Sequence, residues 1–422
     1  MKKVLSLILS VILIFSTLLF AVSCGEADGE SLADGSTADK DTSGNSSGGN
    51  LGASNPPVFL PGESGTTDPS DIKMTSRALL SSVRVVAHFE RYLGYGQTSL
   101  SKTKKESAGV IYRLDREAGD AYIITNFQAV YLKDAVSPSH ISDHIEIFLY
   151  GQESESYSIR ATYVGGSLSG EVAVLRVSGS EVIKHSHATA VTPTNSNGLR
   201  IFDGVFAIGN PKGRGLSATS GIVSVENDSI SILAADGKTT IHLRTVRTNA
   251  VFGDEENPSG GLFDRNGNLV GILVSGKSGD NIDNMSYAIP SNLVVGIADI
   301  LIENQTSSVS VGYKKYQLGI SMAASASGVT VDEVTGAVIK TEQIEITAVQ
   351  DGSPLEGFAN IGDIITSVSV DGRKVNVTAL HIVIEAMLSA RLGSTVEITL
   401  QRGGETLTKT VKITENMLTA VA

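Results

Sequence analysis

The chain has 422 residues, of which 41% are hydrophobic and 44 are glycines. This length allows about two or three folded domains with linkers, and many glycines with only 18% charged residues favour β-rich domains joined by turns. The net charge of −12 would repel phosphate backbones, which argues against a nucleic-acid partner. Since there is a single cysteine, no disulfide can form within the chain.

The N-terminal segment predicts export. Two lysines follow the initial methionine, residues 4–21 form an apolar run, and the single cysteine, Cys24, follows the small residues Ala-Val-Ser (21–23). This order is typical of a lipoprotein signal peptide, in which residues 1–23 are removed and the thiol of Cys24 is acylated. An uncleaved transmembrane anchor is the alternative, because the apolar run approaches spanning length. Both interpretations place the folded part outside the cytoplasmic membrane.

Residues 24–74 are rich in Gly, Ser, Asp, Thr and Pro. Such a segment cannot bury enough apolar surface to offset its ordering entropy, so it predicts a disordered tether.

Short apolar segments then recur over residues 75–305 in two successive blocks, with turn residues between them. Their spacing favours a barrel or a sandwich, with residues 92–107 as a polar surface loop. Strands are predicted at 108–112, 121–126, 145–149, 158–164 and 172–177, and in the second block at 205–211, 218–225, 241–246 and 287–290. Helical spacing of apolar residues after Pro290 predicts a connecting helix.

Residues 257–272 predict a β-hairpin with a serine at its mouth. Ser-Gly-Gly (259–261) leads into an apolar strand, and Asn-Gly (266–267) supplies the two positive-φ positions of a tight turn. A Ser-Gly-Gly turn alone is more often structural than catalytic, so its context must decide.

Residues 313–415 predict a further domain after a linker at 306–312. Short strands flank an Asp-Gly turn (371–372), and one helix follows with Thr378 as its N-cap and Gly393 just past its end.

The order of these segments resembles the HtrA family of trypsin-fold serine proteases with a C-terminal PDZ domain. The resemblance rests on the serine hairpin and on five further motifs: Gly-Asn-Pro (209–211), Thr-Ser-Gly-Ile-Val-Ser (219–224), Gly-Ser-Pro (352–354), Gly-Asp-Ile-Ile (362–365) and Val-Asp-Gly-Arg (370–373). It implies a mostly β fold, in which a double β-barrel trypsin-like (chymotrypsin-fold) domain is followed by an α+β PDZ domain. It also suggests a homotrimer.

The same resemblance assigns the catalytic positions. The family ends a strand in Thr-Asn-x-His-Val, whose histidine is the general base, whereas this chain has Thr-Asn-Phe-Gln-Ala-Val (125–130) and so places Gln128 there. Glu171 stands at the acid position, Ser259 at the nucleophile position, and Asn257 where the family has the glycine of the oxyanion hole. Because a carboxamide does not titrate, Gln128 could orient Ser259 but could not accept its proton.

We expect no other histidine to replace the missing base. Each remaining histidine is interpreted as a surface or loop residue; they are His88, His140, His144, His185, His187, His242 and His381. The pair His185 and His187 lacks a third ligand of matching context, so neither a metal nor another cofactor is expected.

Three functions follow from this pattern. The preferred one is a membrane-anchored binding protein with a degenerate protease domain. Its PDZ domain would add a C-terminal tail or an unfolded segment as a strand beside Leu318, Gly319 and Ile320, against the helix at 378–390. The second is an active serine endopeptidase of envelope protein quality control that uses Ser259 with an unorthodox base. The third is a surface lipoprotein that only holds partners together.

Overall fold

The computed structural model describes residues 69–92, 99–152, 154–251, 259–274, 284–304, 311–334 and 336–421. The predicted signal peptide, Cys24, most of the tether and Asn257 lie outside these residues. All described elements belong to one compact unit, Gly65–Ala422. Within the described ranges, no helix has the length and apolarity needed to cross a membrane.

A first closed barrel follows helix α1 (Pro69–Ser81) and has the strand order β1-β2-β3-β6-β5-β4. Its strands are β1 (Ser82–Tyr92), β2 (Leu100–Asp115), β3 (Asp120–Thr125), β4 (His144–Leu149), β5 (Ile159–Ser167) and β6 (Val172–Val177). Two short helices, α2 (Phe127–Val130) and α3 (Glu181–Lys184), follow β3 and β6. Alternating apolar residues fill the interior, and Phe127 of α2 is fully buried among them.

The second barrel has the strand order β10-β11-β12-β9-β8-β7. Its strands are β7 (Gly204–Gly209), β8 (Ser217–Leu233), β9 (Thr240–Thr248), β10 (Gly260–Asp264), β11 (Leu269–Val274) and β12 (Ser286–Pro290). Helix α4 (Ser291–Glu303) follows Pro290 as predicted and contributes to a core cluster with residues of both barrels.

The last domain is a sheet in the order β14-β15-β16-β18-β19 with one helix, α5 (Leu380–Leu388). Its strands are β13 (Tyr313–Tyr316), β14 (Ile320–Val331), β15 (Val338–Val349), β16 (Ile364–Val370), β17 (Arg373–Asn376), β18 (Thr395–Arg402), β19 (Glu405–Lys412) and β20 (Leu418–Val421). Strand β17 pairs with β16, and β13 pairs with β20. The predicted mostly β fold, two barrels and then an α+β domain, is confirmed.

The prediction of a polar surface loop at 92–107 is wrong for most of that segment. Strand β2 begins at Leu100 and pairs with β1 as far as Tyr92. Along this extension, more exposed and less exposed residues alternate, and most of them are polar or charged. A two-stranded ribbon outside the barrel can carry polar residues, because only part of each strand is buried.

The turn of the serine hairpin also differs from the prediction. Only Gly267 has a positive φ, of 73°, whereas Asn266 does not. The carboxylate of Asp264 accepts the backbone N–H groups of Asn266 and Asn268, at 2.8 and 2.9 Å. This side-chain contact closes a longer loop with a single left-handed residue, so the two-residue turn is not needed.

Helix α5 starts two residues later than Thr378, and its N-cap is Ala379. The backbone of Thr378 is instead engaged by the sheet, because its carbonyl accepts the N–H of Glu342 at 2.7 Å. The carboxylate of Glu342 accepts the N–H of Leu380 at 3.3 Å, so a strand residue takes over the capping role.

Candidate active site

Strand pairing brings two of the three predicted catalytic positions together. Strands β3 and β6 are antiparallel neighbours, with Thr125 opposite Ala173. Gln128 lies just past the end of β3 and Glu171 just before the start of β6, so both fall at the same edge of the first barrel. Ser259 immediately precedes β10 of the second barrel.

Glu171 contacts the backbone of Gln128 rather than its carboxamide. The Oε1 atom of Glu171 accepts the N–H of Gln128 at 2.9 Å. Among the described residues, Oε2 of Glu171 and Nε2 of Gln128 are both buried without a hydrogen-bond partner. Glu171 therefore holds the main chain at Gln128, while Nε2 of the Gln128 carboxamide has no hydrogen-bond partner among the described residues.

Burial dominates the protonation of Glu171. The residue is 1% exposed, and desolvation raises the pKa of its carboxyl to about 7, against the opposing effects of the Gln128 N–H and the nearby charge of Lys105. Its backbone is left-handed, with φ of 53°, a conformation that costs energy for a residue other than glycine.

Lys105 is a site residue that the sequence analysis missed. Its ammonium donates to the carbonyl oxygens of Gln128, at 2.9 Å, and Tyr131, at 2.8 Å, and so ties α2 to β2. No sequence signal separates Lys105 from the lysines beside it, because its role depends on a chain reversal more than twenty residues away.

Ser259 is 2% exposed, and its Oγ accepts the backbone N–H of Ala108 at 2.6 Å. Gly260 has φ of 128°, and a Cβ there would lie 2.1 Å from the carbonyl oxygen of Ile208, so the turn after the serine requires glycine. Within the described part of the chain, no hydrogen bond joins Ser259 to Gln128 or Glu171.

All seven histidines lie in the described ranges, and none of them hydrogen-bonds to Ser259. His88 and His144 are on β1 and β4, His140, His185 and His187 are in loops, His242 is on β9 and His381 is on α5. The His381 pKa is lowered to about 3 by burial, with a further contribution from the charge of Arg244. Among the described residues, no imidazole hydrogen-bonds to the predicted nucleophile.

Two asparagines connect the barrels around the serine. Asn126 donates to the carbonyl of Leu273 at 2.9 Å, and Asn210 donates to the carbonyl of Ser107 at 3.1 Å. Both side chains are buried, so these bonds hold the facing edges of the two barrels in a fixed relation.

In the last domain, the predicted peptide-binding residues lie at the start of an edge strand. Leu318 is 4% exposed and its carbonyl accepts the hydroxyl of Ser353 at 2.7 Å. Gly319 is left-handed, with φ of 66°, and Ile320 begins β14, which pairs only with β15 in the described sheet.

Comparisons with known proteins agree with this architecture. Residues 108–272 match the trypsin-like peptidase domain family and residues 317–413 match the PDZ domain family. The chain is 27% identical over 321 residues to the serine protease Do-like HtrA of Lactococcus lactis, covering 74% of this chain and 71% of that protein. It is 29% identical over 322 residues to the protein of the same name from Bacillus subtilis, covering 72% and 63%.

Among solved structures, the HtrA-type protease AlgW with tripeptide is 22% identical, with a TM-score of 0.49, and the match covers 82% of this chain and 97% of that one. The two matched domains define a class of protein, a trypsin-like peptidase domain followed by a PDZ domain. With these domains in this order, and with relatives named HtrA, the chain matches the HtrA family.

Proposed function

We propose that this chain is an extracytoplasmic HtrA-family protein that binds peptides or unfolded proteins through its PDZ domain, while its trypsin-like domain is catalytically degenerate. The observation that carries the proposal is Gln128 at the base position, together with a serine whose hydroxyl oxygen accepts a backbone N–H instead of contacting a base. The signal sequence supports a lipid anchor at Cys24, and the family resemblance supports a homotrimer.

The chemical argument concerns proton transfer. A trypsin-like serine needs a base that takes its proton near neutral pH and returns it to the leaving amine. Gln128 cannot titrate, and the loss of the base costs on the order of a millionfold in turnover. Glu171 does not compensate, because no hydrogen bond joins it to Ser259 among the described residues and its Oε1 accepts the Gln128 N–H.

The geometry of the PDZ domain supports peptide binding by strand addition. Strand β14 is an edge strand, so an extended peptide can pair with its outer side. The left-handed Gly319 lies at the start of this edge, where the carboxylate of a bound tail would meet backbone N–H groups.

A C-terminal peptide library tests this binding role. The full chain, purified in a mild detergent, is titrated by fluorescence anisotropy with library peptides and with the same peptides amidated at the C-terminus. We expect selective binding that requires the free carboxylate and weakens at least tenfold in Gly319→Ala, since a Cβ would disturb the loop.

The matched control is Gly372→Ala, which replaces another left-handed glycine, with φ of 81° and open space around it. It carries similar backbone strain but lies in the turn between β16 and β17, so it should bind peptide as the unmodified chain does. Equal loss in both variants, or no preference for any peptide, would contradict the proposal.

The alternative is an active serine endopeptidase in envelope protein quality control. It is favoured by the retained Ser259, with its Ser-Gly-Gly motif, and by relatives that are named as serine proteases. Casein hydrolysis that disappears in Ser259→Ala would establish it. A chain that neither hydrolyses casein nor binds peptides would fit the third possibility, a scaffold that holds partners together.

A further inference from the structure

The outer face of the first barrel carries a cluster of three groups that can bind metal. His88 is on β1, while His144 and Glu146 are on β4. His88 Nε2 lies 2.7 Å from Glu146 Oε2, and His144 Nε2 lies 3.9 Å from Glu146 Oε1. One ligand atom from each of the three residues falls within 4.8 Å of the others.

We propose that this cluster is a site for a divalent transition-metal cation of the Zn²⁺ class. Two imidazoles and one carboxylate are a donor set that suits Zn²⁺ and neighbouring cations, and it differs from the all-oxygen sets that Ca²⁺ and Mg²⁺ prefer. Sequence analysis predicted no metal, since the pair His185 and His187 lacked a third ligand. It could not find the present cluster, because His88 and Glu146 are separated by 58 positions in the chain.

Strand pairing fixes the three donors without help from a loop. Strands β1 and β4 are antiparallel neighbours, and His88 is directly opposite His144. Glu146 follows two residues later on β4, so its side chain is on the same face of the sheet as that of His144. The imidazole rings of His88 and His144 are already 4.6 Å apart between centroids.

The spacing fits a single ion after small side-chain movements. Metal–donor distances of about 2.0–2.2 Å in a tetrahedron place neighbouring donors about 3.3 Å apart. The separations of 2.7 and 3.9 Å bracket that value. Ser158 donates to Glu146 Oε1 at 2.5 Å, the kind of outer contact that orients a ligating carboxylate.

The cluster is also accessible. The side chains of His88 and His144 are 38% and 50% exposed, so an ion can reach them from solvent. Both histidines line a cleft of about 590 Å³ together with Pro138 and Asp143. The remaining coordination position can therefore be taken by water or by a donor from outside this group. A bound ion would cross-link β1 to β4.

Titration with Zn²⁺ tests the site directly. The full chain is produced without a polyhistidine tag, treated with a chelator, dialysed in detergent and titrated with ZnCl₂ by isothermal calorimetry. Co²⁺ is used in parallel, because its visible absorption reports coordination by nitrogen and oxygen donors. We expect one Zn²⁺ per chain and a higher Tm with Zn²⁺ present. Affinity should fall at least tenfold in His144→Asn and in Glu146→Gln.

The matched control is the double variant His185→Gln, His187→Gln. His185 also lies near a carboxylate, Glu181, at 3.9 Å, but it is 80% exposed and is not part of a three-residue cluster. This variant should bind Zn²⁺ as the unmodified chain does. The proposal is overturned if the unmodified chain binds no stoichiometric Zn²⁺, if His144→Asn binds normally, or if the control loses the ion instead.

Discussion

At the scale of single residues, Glu171 combines complete burial with a left-handed backbone and a carboxyl oxygen that has no partner among the described residues. Its carboxyl is easier to protonate in the folded chain than in the unfolded one, because desolvation disfavours the charge. The Glu171 carboxyl, at the predicted acid position, is therefore uncharged over part of the neutral pH range.

This environment predicts a pH dependence of stability. The folded pKa of about 7 lies above the unfolded value of about 4.3, so the native state holds a proton that the unfolded state has lost. The free energy of unfolding should therefore fall as pH rises from about 4.3 to about 7, by about 3–4 kcal/mol in total. Glu171→Gln keeps an oxygen for the Gln128 N–H and should remove this fall.

Denaturant unfolding at pH 5 and pH 8 measures the effect, with Glu226→Gln as the control carboxylate. The unmodified chain and the control should lose stability between the two pH values by similar amounts, and Glu171→Gln should lose less. The same pH dependence in all three would show that Glu171 is already ionised at pH 5.

The assignment of Gln128, Glu171 and Ser259 to catalytic positions rests on the family resemblance of short motifs near strand ends, and it stays a prediction. The sequence did not predict that Glu171 bonds to the Gln128 backbone or that Lys105 holds α2. Those contacts depend on how β2, β3 and β6 pair, and pairing between strands far apart in the chain leaves no local signal.

At the scale of elements, the contact between α4 and α5 joins the protease domain to the PDZ domain. Leu388 of α5 belongs to the same core cluster as Val294 and Ile297 of α4. Gly296 makes this approach possible, since a Cβ there would lie 2.8 Å from Leu388 Cβ. The absence of a side chain at one position thus sets the distance between two helices.

Gly296→Ala tests this packing through the sign of its effect. In a helix without close neighbours, the change would stabilise by up to about 1 kcal/mol. Here we expect weaker docking, by about 1–3 kcal/mol, because the new methyl group meets Leu388. Hydrogen exchange of residues 380–388 measures it, and their protection should fall.

The companion change is Leu388→Gly, which removes the Cβ that the new methyl group would meet. Adding Gly296→Ala to a chain that already carries Leu388→Gly should then cost little or stabilise. Increased protection of α5 in the single Gly296→Ala variant would show that the two helices do not pack as closely as described.

Element boundaries show where sequence patterns stop being informative. Strand periodicity located most of the strands, because one face of each is buried. The extension of β2 to Leu100 and the start of α5 at Leu380 were missed, since the first depends on pairing with β1 and the second on capping by Glu342.

At the scale of the whole molecule, a buried ion pair reinforces the contact between the two domains. Arg244 of β9 and Glu385 of α5 are 2.5 Å apart, with side chains 14% and 7% exposed. Burial lowers the pKa of Arg244, although the charge of Glu385 opposes this. Asn197 and Asn292 also hydrogen-bond to Glu385, so its remaining acceptor sites are satisfied.

Helix α5 links the proposed peptide groove to the contact between the two domains. Helix α5 borders the proposed peptide groove and also carries Glu385, which contacts the protease domain. Resemblance predicted the order of the domains, but nothing in the sequence pairs Arg244 with a glutamate 141 positions away.

The most direct test of catalytic degeneracy is labelling with a serine-directed fluorophosphonate. The full chain is compared with Ser259→Ala and Gln128→His, and casein turnover is followed in the same samples. The account predicts that the unmodified chain shows neither labelling nor turnover that depends on Ser259, and that labelling rises in Gln128→His. Labelling and turnover that the unmodified chain shows and Ser259→Ala loses would contradict it.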